Sequence, residues 1–469
     1  MMGKNAHYVP GWDCHGLPIE WKIEEKYRKA GKDKDQVPVV EFRKECRDFA
    51  THWVGVQKEE FKRLGVIGDW ERPYTTMSFD AEAQIVRELH KFLMNGGLYR
   101  GSKPVMWSPV EKTALAEAEL EYHDHTSTTI HVRFPVKSGA EEFMGGSIVI
   151  WTTTPWTMPG NRAISYGPDM EYVGIEVKEV AEGSLAVVGE KLFVAIELLE
   201  EVQKEAGIAA ADVIWRGKGD AFKGVLCLHP FNGQGYDFDV PLIDGDHVTV
   251  DAGTGFVHTA PGHGQEDYEV GMIHGIEVPH TVDEDGTFYD HVPMFAGQHV
   301  YKCNDGVADE LEKVGALLKR GKLVHSYPHS WRSKAPLIFR NTSQWFISME
   351  TNDLREKALK AIGETKWFPA SGRNRIHSMI ASRPDWVLSR QRAWGVPITV
   401  FTHKETGELL RDEKVNARIE EIMEAEGSDA WFDSPAQRFL GNDYNADDYD
   451  MAMDILDVWF DSGCTHAFT

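Results

Sequence analysis

The sequence predicts an α/β fold in which a β-rich block, residues 136–325, lies between two segments, 1–135 and 326–469, that mix helix with strand. Three observations predict it. Apolar residues recur at helical spacing near both ends, short β-branched runs separated by glycine turns fill the middle, and no internal repeat or low-complexity linker divides the 469 residues. A chain of this length holds about three ordinary domains.

In the first segment Phe42, Cys46, Phe49, Trp53 and Val56 recur in steps of four and three, which predicts one buried helical stripe. Ser78 takes the N-cap position of a second helix, with Asp80 and Glu82 in its electropositive first turn. Val86, Leu89 and Leu93 line that helix, and Gly96-Gly97 ends it. The Ala/Glu run at 113–122 reads as helix or extended wall. In the middle block Ser147-Ile148-Val149-Ile150 and residues 172–177, 185–188 and 248–250 have strand character, and 196–206 reads as helix. In the last segment Val415, Ile419 and Ile422 mark a helix ended near Gly427, and acidic residues 443–454 form a solvated loop.

Composition excludes several classes of function. With 42% hydrophobic and 26% charged residues the chain is ordinary globular protein, and no apolar run approaches the roughly 20 residues that span a bilayer. The N-terminus has no signal or transit pattern, so a cytoplasmic location is expected. Five cysteines, Cys14, Cys46, Cys227, Cys303 and Cys464, never fall at Cys-x-x-Cys spacing, which suggests neither a zinc knuckle nor a disulfide framework. A net charge of −24 counts against a general nucleic-acid binder. RNA contact is left to local basic patches, for which residues 383–392 and Lys319-Arg320-Gly321-Lys322 are candidates.

The chain is organised around Trp151-Thr152-Thr153-Thr154-Pro155-Trp156-Thr157-Met158-Pro159-Gly160-Asn161. It follows a buried strand, and Pro155 and Pro159 fix φ and remove donors, so regular pairing stops there. Three neighbouring hydroxyls are then displayed, each able to donate and accept. Threonine alone at a strand end needs no function; the whole word is far more specific. A hundred residues on stands Gly253-Thr254-Gly255-Phe256-Val257-His258-Thr259-Ala260-Pro261-Gly262-His263-Gly264-Gln265-Glu266-Asp267. Near the start stands Gly11-Trp12-Asp13-Cys14-His15-Gly16-Leu17-Pro18-Ile19-Glu20. By themselves these residues have plainer readings. His258 with His263 lacks a third metal ligand, the glycines lack the Gly-Lys-Ser/Thr of a phosphate loop, Asp267 fits a helix first turn, and Asp13 fits a turn.

Together the three words resemble the isoleucyl-tRNA synthetases, a family of class I aminoacyl-tRNA synthetases. The first two resemble halves of that family's editing pocket and the third its amino-acid-binding segment. Residues 331–336, 341–346 and 383–397 resemble its returning catalytic segments. The resemblance implies a Rossmann-type catalytic domain, incomplete here, interrupted by an inserted editing domain. It implies isoleucine–tRNA ligase activity with isoleucine, ATP with magnesium, and the isoleucine tRNA as substrates, in a monomer. It gives Asp13 the substrate ammonium and Trp459 the isoleucine side chain.

In the editing pocket the resemblance gives Asp267 the ammonium, His258 the side-chain wall, and Thr152, Thr153, Thr154 and Asn161 the terminal adenosine and a water. The family's His-Ile-Gly-His and Lys-Met-Ser-Lys-Ser signatures appear nowhere, so a fragment without synthesis is expected. The cysteine pair that some members carry after the equivalent of Trp107 is absent from Ser108 to Lys112, so no zinc is expected there. Alternatives are a freestanding trans-editing hydrolase or a valine- or leucine-specific relative. The Thr-Thr-Thr-Pro-Trp-Thr word argues against the latter, whose motifs place Arg after the paired Thr.

Overall fold

The computed structural model describes residues 7–469, in two compact units. One runs from Ser102 to Ser343; the other combines the chain up to Gly101 with Gln344–Thr469.

The Ser102–Ser343 unit is built on ten strands: β1 Leu120–Ser138, β2 Gly146–Thr152, β3 Ala163–Tyr166, β4 Glu171–Val180, β5 Lys191–Ala195, β6 Ile208–Lys218, β7 Leu226–Leu228, β8 Asp239–Asp244, β9 Phe256–Thr259 and β10 Leu317–Ser330. They pair in the order β6-β4-β5-β2-β9-β3-β8-β7-β1-β10, and β2 also pairs with β1. The second pairing closes β2, β9, β3, β8, β7 and β1 into a ring, which removes their free edges. Alternation drives it: Ile130, Val132 and Phe134 on β1 and Ile148 and Ile150 on β2 are all fully buried. Phe222 anchors an aromatic cluster, its ring 4.8–5.4 Å from those of Phe143, Tyr172, Phe256 and Trp215.

This unit is wider than the 136–325 block expected from strand character. Residue 135 falls inside β1, which pairs antiparallel with β10 from Leu120↔Ser330 to Val132↔Leu317. A ribbon joining such distant residues has no local signal at its far end. Residues 185–188 and 248–250 are not strands, and Val187 and Val188 are exposed. Local β-branched preference yields where no neighbouring strand supplies a partner.

The other unit is α/β. Helix Phe79–Met94 packs on helix Glu413–Glu426 through Ile85, Val86, Leu89 and Leu93 against Val415, Ile419 and Met423. Ser78 is at the N-cap position, but its hydroxyl donates to the Thr75 carbonyl rather than capping the helix. Helix Val39–Arg63 buries Phe42 and Cys46 beside Trp394, while Trp53, two turns on, is 44% exposed. The stripe is therefore core over its first half only. Strands are short here: Gly11–Trp12 pairs parallel with Tyr74–Thr75, and Ser389–Arg390 antiparallel with Ile455–Leu456. No helix among the described residues is long and apolar enough to cross a membrane. All five cysteines are buried and free.

Candidate functional site

In the β-rich unit, the threonine word begins as the last residues of β2 and continues as a 3-10 turn, Pro155–Gly160, led by Pro155. Val257 of β9 pairs in parallel with Trp151 of β2, which sets the two words side by side. Between them lies a cavity of about 260 Å³, lined by Trp151, Thr152, Thr153, His247, Thr249 and the 252–258 loop and strand. That loop requires glycine: Gly255 has φ +79°, and a Cβ there would stand 2.3 Å from the Ala195 Cβ.

A chain of neutral hydrogen bonds fixes the walls. The Asn161 amide nitrogen lies 2.8 Å from His258 Nδ1 and donates to the Ala163 carbonyl at 3.0 Å. His258 Nε2 lies 2.9 Å from the Thr157 hydroxyl, which donates to the Thr154 carbonyl at 2.8 Å. Only one tautomer satisfies this network: Nδ1 accepts from Asn161 and Nε2–H donates to Thr157. Burial pushes the His258 pKa down to about 3, with His263 adding to it, so the ring is neutral. Both ring nitrogens are occupied, so His258 is a wall and an anchor for the threonine loop, not a base. The Thr152 hydroxyl accepts from the Thr154 backbone N–H at 3.1 Å, and the Thr153 and Thr154 hydroxyls lie 3.4 Å apart.

Thr152, Thr153 and His258 thus line the cavity. Thr154 and Asn161 are not among its lining residues; Thr154 is half-buried, and Asn161 is fully buried with Oδ1 unpartnered. Asp267 is not among the lining residues. It sits in the first turn of helix Gln265–Ile273, where one carboxylate oxygen accepts from the Ala260 N–H at 2.9 Å. Burial pushes its pKa up to about 7, and the Ala260 N–H partly offsets this. His263 is engaged on both nitrogens, by the Phe339 carbonyl and the Thr281 hydroxyl. Among the described residues no group of three or more His, Cys, Asp or Glu is placed to hold a metal.

In the α/β unit, Asp13 is exposed and accepts from the Ser462 hydroxyl at 2.8 Å. Ser462 lies three residues beyond Trp459 on the short helix Val458–Gly463, so the carboxylate stands on the same helical face as the 59% exposed indole. Asp457 caps that helix through the Trp459 N–H at 3.1 Å and takes Arg390 at 2.9 Å.

Beneath this face His15 lies buried between Asp461, 2.9 Å from Nδ1, and Glu82, 3.3 Å from Nε2. Burial alone would lower the His15 pKa; the two carboxylates outweigh it and raise it. Burial pushes Asp461 up to about 6 against the pull of His15. Glu82, also pushed up by burial, is nevertheless held below the usual range by His15, Arg47 and Arg43. Sequence reasoning assigned no role to His15 or Thr157; their partners lie 446 and 101 residues away. Trp394 is fully buried and Arg392 pairs with Glu20 and Glu24, so both are packing residues.

An α/β unit interrupted by a β-rich unit, each carrying one of these faces, is the arrangement that the resemblance to class I synthetases implies. The whole chain, residues 1–469, matches the family model described as tRNA synthetases class I (I, L, M and V), and the chain belongs to that family. It is 55% identical over 469 residues to an isoleucine–tRNA ligase of Pelagibacter ubique (strain HTCC1062), covering 100% of this chain and 51% of that protein. An isoleucine–tRNA ligase of Gluconobacter oxydans (strain 621H) is 53% identical over 483 residues, covering 100% and 50%. The chain spans about half the length of the curated relatives it matches. A solved LeuRS ternary complex with tRNA and LeuAMS from Agrobacterium radiobacter K84 is 16% identical, with a TM-score of 0.32 over 97% of this chain and 50% of that one.

Proposed function

We propose that this chain carries the hydrolytic site and part of the synthetic site of an isoleucine–tRNA ligase. The observation that carries the reading is the Val257–Trp151 pairing, which joins two words a hundred residues apart around one small hydroxyl-lined cavity. A hydrophobic pocket separates isoleucine from valine by only about 1–3 kcal/mol, a magnitude established on isoleucine-activating enzymes themselves rather than on this chain. A second pocket that admits valine and excludes isoleucine supplies the missing discrimination.

In this reading Asp267, once ionised, meets the ammonium of a misattached valine. His258 and its neighbours close the pocket against a larger side chain. The Thr152 and Thr153 hydroxyls orient the terminal ribose and a water. Water adds to the ester carbonyl, the carbon–oxygen bond to the ribose breaks, and the proton passes to the departing ribose oxygen. No side chain forms a covalent intermediate: no hydroxyl here is paired with an available base, since both His258 nitrogens are engaged.

The synthetic face offers Asp13 for the isoleucine ammonium and Trp459 as an apolar wall, with ATP and magnesium as substrates of the longer protein, a cytoplasmic monomer. The purified chain, given separately charged tRNA for isoleucine, hydrolyses the valyl ester faster than the isoleucyl ester. It shows no isoleucine-dependent pyrophosphate exchange, because neither ATP-handling signature is in its sequence. Equal hydrolysis of both esters would overturn the reading.

A further inference from the structure

We propose that the helical hairpin of Leu354–Glu364 and Ser371–Ala381 is a docking surface for the phosphate backbone of tRNA. This rests on the reading above that tRNA is the substrate. Between Leu354 and Arg383 stand seven Lys and Arg against two Glu, in a chain whose totals are 50 and 74. The arginines at the centre of the patches expected from sequence are engaged within the protein. Arg390 and Arg392 are buried in ion pairs with Asp457, Glu20 and Glu24, and Arg320 pairs with Asp305 and Asp309.

The hairpin differs. Arg355 is held by Glu350 and by the Ile380 carbonyl. Lys360, Lys366, Arg373 and Arg375 are exposed, and none of their side chains makes a hydrogen bond or ion pair among the described residues. By contrast Lys22, Lys26, Lys44 and Lys62 of the same unit each lie within 3.1 Å of a carboxylate.

Four cations without an ion-pair partner in a segment that holds only Glu356 and Glu364 in return leave a net positive surface, and a polyanion neutralises it while releasing its own counterions. At the turn between the helices Phe368 is 82% exposed, with the Lys366 ammonium 5.2 Å from its ring. An exposed ring beside cations fits a stacked, unpaired base next to a phosphate. An acidic protein would use the charges but leave the ring without a role, so RNA is the partner that both features fit.

The test compares two neutralised forms of the full chain, K360Q/K366Q/R373Q/R375Q and, as a control of equal charge change, K22Q/K26Q/K44Q/K62Q. All eight positions are exposed, and circular dichroism checks that both forms fold. Binding of uncharged tRNA is titrated across salt concentrations. The hairpin form binds about tenfold or more weakly at low salt, and its slope of log affinity against log salt falls by roughly 3–4. The control changes that slope by less than about one. Phe368→Ala weakens binding about fivefold for tRNA with its single-stranded end and not for a blunt RNA duplex.

Equal slopes for the two neutralised forms would overturn the proposal, as would polyglutamate competing as well as RNA. Hydrolysis of valyl-tRNA at saturating enzyme is read in parallel and is unchanged in the hairpin form. If the wild-type chain binds through the hairpin yet hydrolyses nothing, the docking surface stands and the editing reading falls.

Discussion

In the β-rich unit a buried histidine, His258, is held by an amide and a hydroxyl and is neutral; in the α/β unit another, His15, lies between two carboxylates that raise its pKa. Each fixes a loop that presents a candidate ligand group: the threonines in one case, Asp13 in the other. The neutral network sets shape without adding field, which suits a pocket that must measure a side chain. The titratable network ties segment 13–16 to two helices by groups that are costly to leave unpaired in a dry interior. The two sites therefore differ in what breaks them.

The largest effect is expected at His15. His15→Ala leaves the buried carboxyls of Asp461 and Glu82 without the ring they share and should cost about 3–5 kcal/mol. Hydrogen exchange should show the loss in residues 11–16 and helix Phe79–Met94, with the β-rich unit unchanged; uniform loosening of both units would blur the contrast. The sign of the pH dependence follows from the raised His15 pKa. Its stabilisation is complete below the unfolded histidine value near 6.5 and is lost as pH rises through the folded value.

A smaller effect is expected in the neutral network. Thr157→Val keeps the shape but leaves the His258 N–H buried without an acceptor, a cost of about 1–3 kcal/mol. Thr157→Ser should restore it. Because the loss involves no charge, thermal stability should fall by the same amount at pH 6 and pH 9. A pH-dependent loss would mean that His258 titrates in this range.

Much of this was legible from local words. The β2 strand, its proline-terminated loop and the glycines before β9 all announce themselves within a few residues, and so did the Asp13 and Trp459 segments. What was not legible is what tertiary pairing decides. Ser78 fits a cap by type yet bonds backward to Thr75. Residues 185–188 look like a strand yet pair with no neighbouring strand. Arg390 and Arg392 read as a basic patch but are buried ion-pair partners. The unpaired cations of the hairpin carry no local signal, because sequence does not reveal which charges find counter-charges.

The most direct measurement is the pH profile of valyl-tRNA hydrolysis by the wild-type chain and by Asp267→Asn. The Asp267 carboxyl, with its pKa raised to about 7 by burial, must ionise to meet an ammonium. Wild-type activity should therefore rise with pH through about 7. His258, with a pKa near 3, stays neutral throughout and adds no limb in this range. In Asp267→Asn the limb should vanish and the plateau should drop by an amount equivalent to about 2–5 kcal/mol. An unchanged limb and plateau in Asp267→Asn would contradict the assignment of the ammonium site and, with it, the division of labour between a neutral wall and a single ionisable group.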